Sequence, residues 1–496
     1  MAKTYKNFIA GRWTAPSTGR YFHNRNPADT NDLIGRFPDS GAADIAAAVR
    51  SAQSGFERWS RTPAPLRGEV LRRVGDLLVA RKEEIANAMT REMGKVLAET
   101  RGDVQEGIDT AYYAATEGRR LFGRTVPSEL RRKWAMTVRR PIGICGLITP
   151  FNFPMAIPTW KAFPALLAGN SVILKPSEDV PHTATLLVEI LLDAGLPEQV
   201  IQLVHGGEAA GRALVEHPGV PVISFTGSTS TGSAIGAVCG RMHKRLSLEM
   251  GGKNAMIVMD DADLDLALEG VLWGAFGTTG QRCTATSRLI IHRKVHDRFL
   301  ARLTDAANAL VLGDGRERRT QVGPLIHAAA REKVESYLAP AVVGTAEIVC
   351  GGSRPRSTRT SNGYFFRPTV VAGVKPGSRL ATEEIFGPVL SVIRVGSYDQ
   401  AVKVNNEVRY GLSSSIYTAN VHLAFRAMDD LEAGITYVNA PTIGAEAHLP
   451  FGGVKQTGNG HREGGWEVFD FYSETKVCYV DYSGALQRAQ IDTYEV

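Results

Sequence analysis

From Pro141 onward the chain alternates short apolar runs with longer amphipathic ones, and few folds accept that alternation. "IGICGLITP", "SVILKP", "VIQLVHG" and "VISFTGS" read as strands. "MAIPTWKAFPALLAG", the run after Pro181, a short stretch after "VIQLVHG" and the run from Thr231 read as helices. Strand, helix and strand in that rhythm predict a parallel, doubly wound sheet with helices on both faces. A second α/β stretch begins near Glu249. It holds "NAMIVM", "SRLIIH", "PVLSVIRV", "SSSIYT" and "GITYVN", with the helices "ADLDLALEGVLWGAFGTT" and "VHDRFLARLTDAANALV" among them. A chain of 496 residues is too long for one core, so two α/β domains of similar size are expected. The N-terminal part reads as helices: "AADIAAAVRSAQSGFERW", "RGEVLRRVGDLLVARKEEIANAMTREMG" and "RGDVQEGIDTAYYAATEGRRLF". Two strands stand outside the rhythm, "WAMTVRRP" in the 130s and "TKVCYVDYS" near the C-terminus. Paired, they would make a two-segment flap whose edges suit another subunit.

Several classes are disfavoured at once. The longest apolar runs, such as "GICGLI" and "AFPALLAG", fall far short of a membrane span. The start, "MAKTYKNFIAGRW", has neither a signal-peptide core nor a cleavage site, so a soluble cytoplasmic protein is expected. A net charge of +6 is mild for this length, and "LRRKW" with "VRRP" is the one local basic excess. No stacking aromatics recur around it. A solvated or interface strand is therefore preferred to a nucleic-acid or membrane patch. The five cysteines (145, 239, 283, 350 and 478) are widely spaced with no C-x-x-C, so neither a disulfide framework nor a metal site is expected.

Five stretches could carry chemistry. In "TTGQRCTATSR" Cys283 follows a glycine turn and looks more exposed than the other four cysteines, which read as core. Arg282 beside it could lower the thiol pKa if the two side chains point the same way. "FTGSTSTG" (225–232) follows a strand and opens a helix. Gly227 permits a turn, Ser228 can cap, and the free N–H groups can face a phosphate, although a plain capped helix explains the same residues. G-x-G-x-x-G is absent, and "GGEAAG" (206–211) reads as a turn. "LKPSE" (174–178) sets Lys175 and Glu178 at a strand's carboxyl end, where a carboxylate can hold ribose hydroxyls and repel a 2′-phosphate, or be an ordinary charged loop. "TPFNFPMAIPTWK" holds Asn152 in a rigid turn, as an oxyanion donor or a helix cap. "LEMGGKN" offers Glu249 as a general base. "LSLEM" alternates, however, and puts Glu249 on the polar face.

These stretches, with "EEIFGPV" (383–389) and "PFGGVKQTGNGHRE" (450–463), stand in the order of the aldehyde dehydrogenase superfamily, which the chain resembles over nearly its whole length. The resemblance implies a Rossmann-like cofactor domain, an α/β catalytic domain and a β oligomerisation flap. With the strand rhythm it divides the chain into 1–122 and 142–248 (cofactor-binding), 249–474 (catalytic), and 123–141 and 475–496 (flap). It implies Cys283 as nucleophile, Glu249 as base, Asn152 as oxyanion donor, and Lys161 with Glu463 as a proton path. "GNGHRE" is one residue longer than the common form around that Glu.

At the cofactor, the resemblance implies Thr149, Pro150, Phe151, Lys175, Ser177, Glu178, Gly207, Gly211, Phe225, Thr226, Gly227, Ser228, Thr231, Glu384 and Phe386. The cofactor would be NAD, favoured by Glu178, with NADP possible. Arg282, Thr284, Ile443, Glu446, His448 and Phe451 would wall the substrate pocket, together with the helix after Asn152. An aldehyde would be oxidised through a thiohemiacetal and a thioester. "GQRCTATSR", "GAEAHLPFGG" and the ending "VDYSGALQRAQID" look most like the bacterial α-ketoglutaric semialdehyde dehydrogenase branch, which implies a semialdehyde such as 2,5-dioxovalerate. A homodimer or homotetramer is expected. The competing readings are a coenzyme A-acylating relative, against which Glu249 speaks, and a non-catalytic binding protein, against which the intact Cys283, Glu249 and Asn152 speak.

Overall fold

A computed structural model describes residues 3–492. Its first sheet has seven strands, in the order Arg245–Glu249, Val222–Thr226, Ile144–Ile148, Ser171–Lys175, Ile201–Leu203, Asn7–Ile9 and Arg12–Thr14. The five strands from the βαβ region run parallel. Ile144–Ile148 and Ser171–Lys175 are buried at every residue, as expected of parallel strands covered on both faces. "MAIPTWKAFPALLAG" is a helix at Ala156–Ala168, also buried throughout. The second sheet runs Glu347–Cys350, Thr369–Ala372, Val389–Val395, Arg288–His292, Ala255–Val258, Ser413–Tyr417 and Ile435–Val438, parallel apart from its first strand. Among the described residues no helix is long and apolar enough to cross a membrane.

The N-terminal part differs from an all-helical reading. Before the helix Ala42–Trp59 lie four strands, two of which extend the first sheet through the pairing of Phe8 with Leu203. The long helical run after residue 64 breaks at Arg81 into Ala64–Ala80 and Lys82–Met93. The two stray strands do pair: Ser473–Asp481 lies antiparallel to Lys133–Pro141, from Ser473 opposite Pro141 to Asp481 opposite Lys133. Trp134, Val477, Tyr479 and Val480 remain exposed on them. Cys478, read as core from its apolar neighbours, is half-exposed there because that sheet is little covered. Residues 1–2 and 493–496, which the domain division includes, lie outside the described residues.

One buried ion pair ties the helical layer to the segment that carries Asn152. Lys95 Nζ meets Asp103 Oδ2 at 2.8 Å, and both side chains are fully buried. The other oxygen, Asp103 Oδ1, accepts from the Ala156 N–H at 2.7 Å, and the Lys95 ammonium lies 3.5 Å from the Phe153 ring centroid. Burial already pushes the Lys95 pKa down, with Asp103 opposing. Asp103→Ala would leave an unpaired buried ammonium and an uncapped helix start. It is expected to cost about 3–5 kcal/mol of stability, read from denaturant unfolding. A loss within about 1 kcal/mol would show the pair to be dispensable.

Candidate active site

Cys283 is placed by a strained turn. The helix Leu264–Phe276 gives way to Gly277–Gly280, where Thr278, Thr279 and Gly280 take φ of 51°, 58° and 69°. Non-glycine residues rarely adopt such angles, and they persist where the surroundings over-determine them. At Gly280 a Cβ would also strike the Gly387 carbonyl in "EEIFGPV". Past the turn, Asn254 Nδ2 donates to the carbonyls of Cys283 (2.7 Å) and Ala285 (3.0 Å), while its Oδ1 accepts from the Ser413 N–H at 3.1 Å. Gly252 lets the two segments close up, since a Cβ there would lie 2.6 Å from the Cys283 carbonyl. Hence "LEMGGKN" and "GQRCTA" form one structural unit, clamped by Asn254, which the motif reading did not single out.

Arg282 does not tune the thiol. Its Nε donates to Thr278 Oγ1 at 2.8 Å, its Nη2 pairs with Glu99 at 3.0 Å, and its guanidinium lies 4.9 and 5.6 Å from the Trp273 and Phe153 rings. It braces the turn and forms part of the cleft wall. Burial pushes the Cys283 thiol up to about 12, with Glu384 and then Glu249 adding to the effect.

Glu249 ends its strand buried, 4% exposed, and not on a polar face. Both faces of the sheet are covered there, so alternation carries no information. Its Oε1 has no hydrogen-bond partner. Burial holds its carboxyl well above the usual carboxylate range, Glu463 adds to this, and Lys161 and Arg462 oppose it. Lys161 Nζ donates to Ser224 Oγ at 2.7 Å and pairs with Glu463 Oε1. The longer "GNGHRE" therefore still delivers Glu463 to Lys161, fixed by paired N–H···O bonds with Phe451 of 2.6 and 2.7 Å. Asn152 is buried in the turn ahead of Ala156–Ala168, but the first N–H of that helix is taken by Asp103. The cap reading of Asn152 thus fails.

The sequence-derived cofactor residues gather at the carboxyl ends of the first sheet. Thr149 follows Ile144–Ile148, with Pro150 and Phe151 next, and Phe151 meets the Phe386 ring edge-on at 5.8 Å. Lys175 Nζ lies 3.7 Å from Glu178 Oε2. Ser177 Oγ is occupied by Asp179, to whose Oδ2 it donates at 3.2 Å. Gly207 and Gly211, at the next helix start, face Glu178 and Lys175. Phe225 and Thr226 close the strand Val222–Thr226, the Gly227 N–H donates to the Glu249 carbonyl at 3.0 Å, and Ser228 caps the helix Thr229–Arg241 by accepting from the Thr231 N–H. Glu384 Oε1 accepts from the Gly252 N–H at 3.0 Å. The hydroxyls of Thr149, Thr226 and Thr229 are buried without partners. Orphan hydroxyls at strand ends beside a helix N-terminus fit a polar, phosphate-bearing ligand such as a dinucleotide.

A cleft joins this end to Cys283. Glu249, Thr226 and Glu463 lie along it, with Phe153, Trp160 and Phe451 as apolar wall. The Trp160 and Phe451 rings meet tilted, their centroids 4.9 Å apart. Of the expected pocket residues, Arg282, Thr284 and Phe451 line the cleft. Glu446 and His448, 3.6 Å apart and exposed, belong to an outer vestibule. Ile443 is a correction: its apolar side chain is buried, 6% exposed, and Gly444 and Ala445 face the cleft in its place. Glu106, which lines both spaces, is a residue that no motif pointed to.

Two doubly wound sheets, with a thiol and a carboxyl in a cleft at the end of the first, describe a dinucleotide-dependent oxidoreductase that works through cysteine. The aldehyde dehydrogenase family model matches residues 13–478. The α-ketoglutaric semialdehyde dehydrogenase of Bacillus subtilis is 39% identical, covering 96% of this chain and 98% of that protein. The 2,5-dioxopentanoate dehydrogenase of Saccharolobus solfataricus is 37% identical, covering 96% and 99%. Among solved structures, betaine aldehyde dehydrogenase from Staphylococcus aureus in complex with NAD+ superposes with a TM-score of 0.95 at 31% identity, covering 97% and 95%. The chain belongs to the aldehyde dehydrogenase family, and it is an NAD(P)-dependent enzyme that oxidises aldehydes to carboxylic acids.

Proposed function

We propose that the enzyme oxidises a semialdehyde bearing a carboxylate at its far end, 2,5-dioxovalerate first among them, with Cys283, Glu249 and Asn152 carrying the chemistry. The observation that carries the proposal is one cleft lined by the Cys283 thiol and by the unpartnered carboxyl of Glu249. The two semialdehyde-oxidising relatives support the substrate class. The Cys283 thiol gives its proton to water and the sulfur adds to the aldehyde carbon, so a C–S bond forms and the carbonyl becomes an oxyanion. The Asn152 amide and the Cys283 N–H stabilise that oxyanion, and one such donor is worth roughly 3–4 kcal/mol of barrier. A dinucleotide held by the residues named below would supply the acceptor for the hydride that leaves the tetrahedral carbon. What remains on Cys283 is a thioester. Glu249 then deprotonates water, which attacks it; the C–S bond breaks and the acid departs. Glu463 and Lys161 return the Glu249 proton to solvent.

Thr149, Lys175, Glu178, the helix start at 227–231 and the Glu384–Phe386 segment would hold the dinucleotide. Glu178 beside Lys175 favours a free ribose hydroxyl, hence NAD over NADP. The 123–141 and 475–492 strands, with apolar side chains exposed, support a homo-oligomeric flap in a dimer or tetramer. Five unpaired cysteines support a reducing, cytoplasmic setting. Hydrolysis rather than acyl transfer to coenzyme A follows from the base lying in the cleft.

The test is NAD-dependent turnover across an aldehyde panel. In kcat/KM, 2,5-dioxovalerate is expected to exceed simple aliphatic and aromatic aldehydes. A tenfold advantage for one of those, or faster turnover and an acyl-CoA product on adding coenzyme A, would overturn the reading.

A further inference from the structure

Helix Leu97–Glu117 sends into the cleft one side chain that this chemistry does not use. Glu106 lines the inner cleft beside Cys283 and also the vestibule outside it. Its Oε1 is buried with no hydrogen-bond partner. Its acidic neighbours are occupied: Asp103 by Lys95 and the Ala156 N–H, and Glu99 by Arg282 and the Thr278 N–H. Arg282, the cation on the cleft wall, is consumed by Glu99, Thr278 and two aromatic rings, so it has little left for a substrate carboxylate. Buried polar atoms are nearly always satisfied, and one aimed into a substrate cleft is satisfied by what enters it.

We propose that Glu106 is a specificity-determining residue, its free carboxyl hydrogen-bonding the carboxylate at the end of the aldehyde remote from the carbonyl. The inference rests on the semialdehyde reading. Burial moves the Glu106 pKa up to about 8; Asp103 and Asp109 push the same way, and Lys95 and Arg282 oppose. The other titratable groups around it are Tyr437, whose pKa is raised by burial and then by Cys283 and Glu106, with Cys283, Glu249 and Glu463 along the cleft, and Tyr112, Tyr113, Glu446 and His448 at the vestibule. At neutral pH Glu106 is therefore a neutral acid with an O–H to donate. Above its titration it becomes a second anion facing the first, and a carboxylate tail is repelled.

The experiment compares 2,5-dioxovalerate with pentanal, which has the same length and no charge, from pH 6.5 to 9.5 on the full-length enzyme with NAD. The ratio of their kcat/KM values cancels the titration of the groups both substrates share. That ratio is expected to hold below pH 8 and to fall roughly tenfold per pH unit above it, through KM for the semialdehyde. Glu106→Gln, which keeps a donor and cannot ionise, is expected to flatten the ratio, and Glu106→Ala to lower it below pH 8 and likewise to make it independent of pH. A wild-type ratio unchanged through pH 8, or the same fall in Glu106→Gln, would overturn the inference. Failure of the substrate reading looks different: pentanal would be preferred in the wild type already at pH 7.

Discussion

Cys283→Ala is expected to lower kcat by about four orders of magnitude or more while NAD still binds, measured as NADH formation against nucleotide-dependent quenching of tryptophan fluorescence. The size of the effect follows from what the other thiols can do. Cys145, Cys239 and Cys350 are buried, and burial pushes each thiol up. Cys478 is half-exposed, but it lies on the flap strand opposite Met136. None can replace a sulfur held at the cleft by the Asn254 clamp. Residual activity within tenfold of wild type would remove Cys283 from the chemistry.

Glu249→Gln should separate the two halves of the reaction. Hydride transfer requires the thiol, whereas release of the acid requires a base for water. The variant is expected to give a burst of about one NADH per active site and then a steady rate about 10²–10⁴-fold below wild type. The pH profile carries a sign. In the wild type the working form of Glu249 is the carboxylate, and burial with Glu463 nearby raises its pKa. Turnover should therefore rise with pH through the Glu249 titration and fall as pH drops below it. In Glu249→Gln that limb should vanish from the steady rate. A variant with no burst and an unaltered pH profile would assign the base elsewhere.

Much of the fold was legible because parallel strands announce themselves as short, fully apolar runs. "IGICGLITP" and "SVILKP" became neighbouring strands, with Ile144 opposite Ser171. The two N-terminal strands that extend the first sheet escaped for the converse reason: Asn7–Ile9 and Arg12–Thr14 span three residues each, too few to show a period of two. The same period misled at Glu249, where "LSLEM" alternates but Ser247, Leu248, Glu249 and Met250 are all buried. Asn254 lay within a quoted motif, yet its clamp on Cys283 is a contact across 29 positions that local pattern cannot reveal. For Arg282 the sequence supports both a thiol neighbour and a pocket wall, because its partner Glu99 is 183 positions away. Glu106 did leave a trace: Glu99, Asp103, Glu106 and Asp109 recur every three or four residues along one helix, an acidic stripe where a solvated face would be the ordinary expectation.

The most direct measurement is mass spectrometry of Glu249→Gln, quenched with acid during turnover of NAD and an aldehyde and then digested. An acyl group is predicted on the peptide that carries Cys283, at about one per chain, and it should be absent when NAD is omitted. Acylation of a different cysteine, or continued NADH formation with no acyl group on Cys283, would contradict the account.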